Sequence, residues 1–298
     1  MTQNKCCRHG ASLRRRRRRR RKILRSIIFS CSIIAVAVFV AVGSRMITSG
    51  DGGTNKYDVE AGNNTYDNAV IENSKITEKN KIQNEQSMLD DIMNSTQYPK
   101  QLQELALKNE EALEFVYDYP AEHVKKHTID LTEEASMDSV PLFVQWDKRW
   151  GYEKYSGNFF AASGCGPTTL SMVVVYLTHN RDASPLAVAK YSKEAGYSVD
   201  GSGSSWTLIS EGCRHYGVKA KTVALDESRM KAELDAGHPI VVNVGPGDFT
   251  DTGHFMVITG YDDEGFSIND PNSIEKSGKR WLFKNISSQI RAVWSMYV

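Results

Sequence analysis

The run Ser163-Gly164-Cys165-Gly166-Pro167-Thr168-Thr169-Leu170-Ser171-Met172 begins as a turn and ends as an apolar helix. Pro167 suits the first helical position, where its missing N–H removes nothing. Leu170, Met172, Val173, Val174, Val175 and Leu177 make the helix apolar nearly all round, which predicts its burial. Cys165 falls just ahead of the first turn, where unpaired N–H groups and the positive end of the helix dipole favour an anion. A thiol in that place has its pKa lowered from about 8.5, and the thiolate is the nucleophile. Gly164 and Gly166 leave room for a substrate backbone to approach. The plain alternative is a small buried cysteine opening a core helix.

A cysteine nucleophile needs a base. Beyond the N-terminal region the histidines are His123, His127, His179, His215, His238 and His254. His254 has the best context, because it follows Thr252-Gly253 and opens the apolar strand Phe255-Met256-Val257-Ile258-Thr259. An imidazole at a strand's first residue is fixed in position and open to a cleft. It can take a thiol proton and return it to a leaving amine. The imidazole in turn needs an acceptor that holds its tautomer. Asp270, after the short strand Phe266–Ile268, reaches His254 if a hairpin joins the two strands. Asn269 is the other candidate, and neighbours on a strand face opposite ways, so one of the two serves. An Asp-Pro turn is the ordinary reading of Asp270-Pro271. A side-chain amide upstream would add a donor for an oxyanion to the N–H of Cys165. Gln145, flanked by Val144 and Trp146, is placed for that; a solvated loop glutamine is the alternative.

The elements that must position these groups follow from pattern. Leu102, Leu105, Ala106, Leu113 and Val116 recur at three- and four-residue steps, which predicts one amphipathic helix from Pro99 to Tyr117, ended by Tyr119-Pro120. After the Cys165 helix, further helices are expected from Ser184-Pro185 to about Ala195, from about Ser205 to Tyr216 with Gly217 as its C-terminal cap, and from Asp226 to Gly237. Strands follow at Pro239–Val244, Gly253–Tyr261, Gly265–Ile268, Trp281–Phe283 and Ala292–Val298. Helices first and a mostly antiparallel sheet afterwards give an α+β domain.

Charge divides the chain. Of its 37 Lys/Arg, 12 fall within residues 1–25, where there is no acid, so residues 26–298 carry 25 bases against 36 acids, a net of −11. The folded part is acidic, and nucleic acid is not an expected partner. Residues 26–44 form 19 uncharged positions, roughly 28 Å of helix, close to a bilayer's hydrocarbon thickness. The arginine run before them predicts a cytoplasmic tail at 1–25, a transmembrane anchor at 26–44 and everything after it outside the cell membrane. A cleaved signal peptide is the competing reading, although the apolar run exceeds the usual length. Residues 45–97 are polar enough to read as a disordered stalk, with a short helix possible near Ile82–Met93. Cys165 and Cys213 are then the two exported cysteines, and one disulfide between them is the rival to free thiols. No CxxC or Cys/His ligand spacing occurs, so no structural zinc and no organic cofactor are expected.

Gln145-Trp146-Asp147…Arg149-Trp150, Gly164-Cys165-Gly166-Pro167-Thr168, Gly253-His254-Phe255 and Asn269-Asp270-Pro271, in this order, resemble the bacteriocin-leader-peptidase-like (thirty-ninth cysteine peptidase) family of the papain superfamily. The resemblance covers about 98–298, and Tyr98–Pro120 resembles an N-terminal extension of exported, membrane-anchored members. It implies a papain-like α+β peptidase domain with Cys165 as nucleophile, His254 as base, Asp270 as orienter and Gln145 as oxyanion donor, acting on a peptide or protein. Bacteriocin-processing members sit on an ABC transporter and cut after a double glycine. This chain has no P-loop motif, so that substrate does not carry over. Two rivals remain on sequence grounds: an amidase or transpeptidase of cell-wall peptides on the same triad, and a catalytically inactive surface binding domain. Nothing in the sequence speaks to oligomeric state.

Overall fold

The computed structural model describes residues 64–298, with side chains from 76 onward. The segments expected to form a basic tail (1–25), an anchor (26–44) and the first part of a stalk lie outside the described residues. Among the described residues, no helix is long and apolar enough to cross a membrane. The chain divides into two compact units, Met1–Asn68 and Ala69–Val298, and the features below belong to the second apart from the helical backbone of residues 64–68.

Helices come first and sheet afterwards. Where a disordered stalk with a short helix near Ile82–Met93 is expected, the backbone is helical from Asn64 to Asn94. The helix is polar along most of its length. Its last turns dock: Ile92 is buried, with Met88 and Leu89 packed beside it.

The helix expected from Pro99 to Tyr117 is broken. Lys100–Lys108 is α-helical, Asn109 takes an extended conformation (φ −129°, ψ 106°), Glu110–Ala112 is a 3₁₀ turn, and Leu113–Tyr117 resumes the helix. Asn109 causes the break, because its Oδ1 accepts from the N–H of Glu111 at 3.0 Å and so caps a new start. The apolar period survives the break. Leu102, Leu105, Ala106, Leu113, Phe115 and Val116 form one core with Phe159 and Ala161. Pro120 does not stop the chain from turning helically; it sits in the first turn of the short helix Tyr119–Glu122, where a missing N–H costs nothing.

The Cys165–Thr178 helix is buried on nearly every side and packs across the sheet and against the Pro185–Glu194 helix. The helix expected over 205–216 is instead two short pieces, Thr207–Ser210 and a 3₁₀ turn Gly212–Tyr216, closed by Gly217 at φ 76° as its composition predicts.

Two short hairpins come first among the described strands, β1 (Lys154–Tyr155) with β2 (Asn158–Phe159) and β3 (Ser198–Val199) with β4 (Gly203–Ser204). The main sheet of the described residues has six strands. β5 (Lys219–Thr222), β6 (Ile240–Val244), β7 (His254–Asp262), β8 (Gly265–Asn269), β9 (Arg280–Trp281) and β10 (Ile290–Tyr297) run in the order β5-β10-β6-β7-β8-β9, with every neighbouring pair antiparallel. Both faces are covered, and for that reason β6 and the first half of β7 read as nearly continuous apolar runs. Val241, Phe255, Val257, Trp294 and Met296 face the core built around the Cys165 helix. Val242, Val244, Met256, Ile258 and Ile268 face a second core with Met230 and Ile286. The edge strand β5 escapes sequence reading because Lys219 and Lys221 give it no apolar alternation; lysines on an edge discourage further pairing. Phe283, expected in a strand, starts a short helix Phe283–Ile286 instead.

Candidate active site

The nucleophile candidate is held by a tightly closed first turn. The Cys165 helix starts at the cysteine itself, so Pro167 is its third residue and not its first. The place still suits proline, since the first four N–H groups of a helix have no partner within it. Gly164 caps the helix: its carbonyl accepts from the N–H of Thr168 at 3.0 Å and from the Thr168 hydroxyl at 2.8 Å.

The two glycines flanking Cys165 do not open space for a substrate. A Cβ on Gly164 would come 2.5 Å from the Phe160 ring, and one on Gly166 would come 2.5 Å from Ser204 Oγ and 2.7 Å from its Cβ. Protein fills both places. They are the close contacts by which the Phe160–Ser163 turn and the hairpin of β3 (Ser198–Val199) and β4 (Gly203–Ser204) wall the start of the helix. The hairpin is fixed from below by Tyr155, whose hydroxyl bonds Ser204 Oγ at 2.6 Å and Ser192 Oγ at 2.8 Å.

His254 opens β7 opposite Val244 of β6, and Asp270 follows the last residue of β8, the next strand of the sheet. The hairpin therefore returns Asp270 to the histidine: His254 Nε2 lies 2.7 Å from Asp270 Oδ1. The carboxylate takes Nε2, which leaves Nδ1 for the thiol. The His254 imidazole and the N–H groups of Phe255 and Gly166 all act on the Cys165 thiol. Both His254 and Asp270 are buried, while Cys165 keeps part of its surface exposed.

Burial here works against charge, and local partners outweigh it. Desolvation alone would lower the basicity of His254. The Asp270 charge and hydrogen bond, with a smaller contribution from Cys165, push its pKa up to about 10. Burial likewise raises the Cys165 thiol, but the His254 hydrogen bond and charge and the two N–H donors bring it below the ordinary thiol value. Together these directions favour a thiolate–imidazolium pair. Cys213, by contrast, is fully buried in the core and pushed up to about 11 by desolvation. Cys165 and Cys213 are both free thiols.

Asn269 faces elsewhere. Its Nδ2 donates to the carbonyls of Val140 and Pro141, tying the incoming chain to the sheet. Gln145 is buried next to the site: its N–H donates to the Pro271 carbonyl at 2.7 Å, and its Nε2 donates to the Ala161 carbonyl at 2.8 Å. One hydrogen of the side-chain amide is thus committed to the wall that leads to Cys165, and the second is left over. Asn272 is a site residue that sequence reading missed. Its N–H donates at 2.8 Å to Asp270 Oδ1, the oxygen that also meets His254. The signal available for it was the Asp-Pro-Asn turn itself, in which an aspartate carboxylate commonly accepts from the N–H two residues on. Among the described residues, no group of three or more His, Cys, Asp or Glu is arranged to hold a metal ion.

No curated protein matches the chain. Among solved structures, the peptidase domain of Streptococcus ComA, a bi-functional ABC transporter of a quorum-sensing pathway, is similar at 18% identity and TM-score 0.39, over 53% of this chain and 96% of that one. A protein described as a C39-like peptidase from Bacillus anthracis is similar at 17% identity and TM-score 0.33, over 53% and 95%. The model of the Peptidase_C39 like family matches residues 137–298, which hold the Cys165 helix, His254 and Asp270, and the chain belongs to that family.

Proposed function

We propose that the protein is a papain-like cysteine peptidase, anchored in the cell membrane through residues 26–44, with its catalytic domain outside the cytoplasm. The observation that carries the chemistry is the buried 2.7 Å contact of His254 Nε2 with Asp270 Oδ1, with the remaining imidazole nitrogen left for Cys165. The Cys165 thiolate attacks the carbonyl carbon of the scissile bond, and the carbonyl π electrons move to oxygen. Gln145 Nε2, through its second hydrogen, and the N–H of Cys165 stabilise that oxyanion. His254 then gives its proton to the leaving amine as the C–N bond breaks, and a thioester remains on Cys165. A water, losing its proton to His254, attacks the thioester; the acid leaves, and the thiolate–imidazolium pair returns. Asp270 holds the imidazole throughout and stabilises its cationic form.

The test is cleavage of a peptide library by the full-length protein beside its Cys165→Ala variant. Cleavage that disappears in the variant supports the reading. Retained cleavage, or a wild-type Cys165 that iodoacetamide modifies no faster than an ordinary thiol, refutes it. For the location, protease added to intact protoplasts should remove the catalytic domain and spare residues 1–25. A digested tail with a protected domain would reverse the orientation.

A further inference from the structure

Asp270 sits at the start of a turn that the sheet does not hold by itself. After β8 the chain runs through Pro271 and Asn272 into the one-turn helix Ile274–Ser277. Asp270 depends on this turn at two points. Its Oδ1 accepts from the N–H of Asn272 at 2.8 Å, and its own N–H donates to Ser277 Oγ at 2.9 Å. Whatever fixes Asn272 and the Ile274–Ser277 helix fixes the carboxylate that meets His254.

The groups that do so come largely from outside the span matched by the family model. Asn109 Nδ2 donates to the Asn272 carbonyl at 2.9 Å and to Asn272 Oδ1 at 3.1 Å. Glu111 Oε2 accepts from the N–H groups of Ile274 at 2.6 Å and Glu275 at 3.1 Å, and its Oε1 accepts from the Ser273 hydroxyl. A carboxylate bound by several N–H donors at a helix start is among the stronger protein hydrogen-bond arrangements. Within the matched span, Trp146 Nε1 adds a longer bond of 3.4 Å to the Asn272 carbonyl. The break at Asn109 in an otherwise continuous helical pattern now has a use. It turns one side-chain amide toward Asn272 while the same side chain's oxygen starts the 3₁₀ turn that presents Glu111.

We propose that Asn109 and Glu111 are positioning residues for the reaction: the N-terminal extension completes the site by clamping the turn 271–275, and through it the Asp270 carboxylate against His254. The inference rests on the peptidase reading above. The clamp works through geometry, since neither residue reaches the reacting atoms. Releasing it lets Asp270 drift from Nε2, weakens the imidazolium and so returns the Cys165 thiol toward its ordinary value.

The test is the pH dependence of iodoacetamide alkylation of Cys165 in the full-length protein, read on the Cys165 peptide by mass spectrometry, beside kcat/KM per folded molecule. Asn109→Asp is the sharpest variant. It keeps the oxygen that caps Glu111 but replaces the amide donor with an anion facing two oxygens of Asn272. Glu111→Ala is the second. The expected result, in variants whose melting shows a folded domain, is an alkylation midpoint raised by about one pH unit, with the rate reduced about tenfold at pH values well below the wild-type midpoint. The loss in kcat/KM should fall on kcat, and Glu111→Asp should recover part of it. A folded Asn109→Asp variant with the wild-type midpoint and kcat overturns the inference, as a merely structural tether would lower the melting temperature and leave both unchanged. The wild-type arm separates this failure from that of the peptidase reading, which fails if the unaltered Cys165 shows no lowered midpoint.

Discussion

His254 is the first residue of β7 and Asp270 the residue after β8, and the hairpin between them closes sixteen positions of chain onto a 2.7 Å contact. A contact of this kind, made inside the protein with the carboxylate fully buried, ties the behaviour of the imidazole to that of the acid. Losses at Cys165, His254 and Asp270 should therefore not add. Cys165→Ala should abolish turnover, His254→Ala should be nearly as severe, and the double variant should be no worse than Cys165→Ala. Stepwise additive losses in kcat/KM would separate the residues into independent roles.

The competent form of the proposed mechanism, a thiolate beside an imidazolium, sets the sign of the expected pH dependence. Activity should fall as pH drops through the lowered Cys165 pKa, where the thiolate gains a proton. It should fall again as pH rises through about 10, where His254 loses one. Asp270→Asn removes the charge that raises His254, so the alkaline limb of a kcat/KM profile should move below 10, toward the ordinary imidazole range. An unmoved alkaline limb in Asp270→Asn would assign that titration to another group.

Gln145→Ala should lower kcat by about 10²–10³ if its free amide hydrogen serves the oxyanion. Alkylation of Cys165 should persist, because the donor acts on the transition state and not on the thiolate. Lost alkylation would mean that the Gln145 side chain acts by holding the Ala161 carbonyl, its partner in the wall of the site.

Gly166→Ala should destabilise the fold by about 1–3 kcal/mol, the usual cost of overpacking, because its Cβ would meet Ser204. Ser204→Gly in the same chain should restore part of the melting temperature. An unchanged melting temperature in the single variant would show that the β3–β4 hairpin yields freely.

The two described cysteines should part in reactivity. At neutral pH iodoacetamide should modify Cys165 and spare Cys213, whose thiol is fully buried and pushed up to about 11, until denaturant is added. Peptide mapping that found a Cys165–Cys213 disulfide in the active protein would remove the nucleophile from the mechanism.

Local chemistry made much of this legible in sequence. The largely apolar Cys165 helix, the Ser184-Pro185 and Asp226 starts, the Gly217 cap and the apolar runs at 240–244 and 254–258 each carry their own signal within a few residues. So did the residue types of the candidate site, because a cysteine at a helix start, a histidine opening a strand and an aspartate ending the next one are readable without contacts. What the sequence could not decide was anything settled by distant partners. The choice of Asp270 over Asn269 follows from the register of the β7–β8 hairpin, and only folding shows Asn269 spent on Val140 and Pro141. The glycines beside Cys165 read as open space, yet Phe160 and Ser204 occupy it. Asn109 looks like one polar residue in a helical period. Its extended backbone makes sense only beside Asn272, 163 positions away, because a hydrogen bond between loops leaves no periodic trace in either segment.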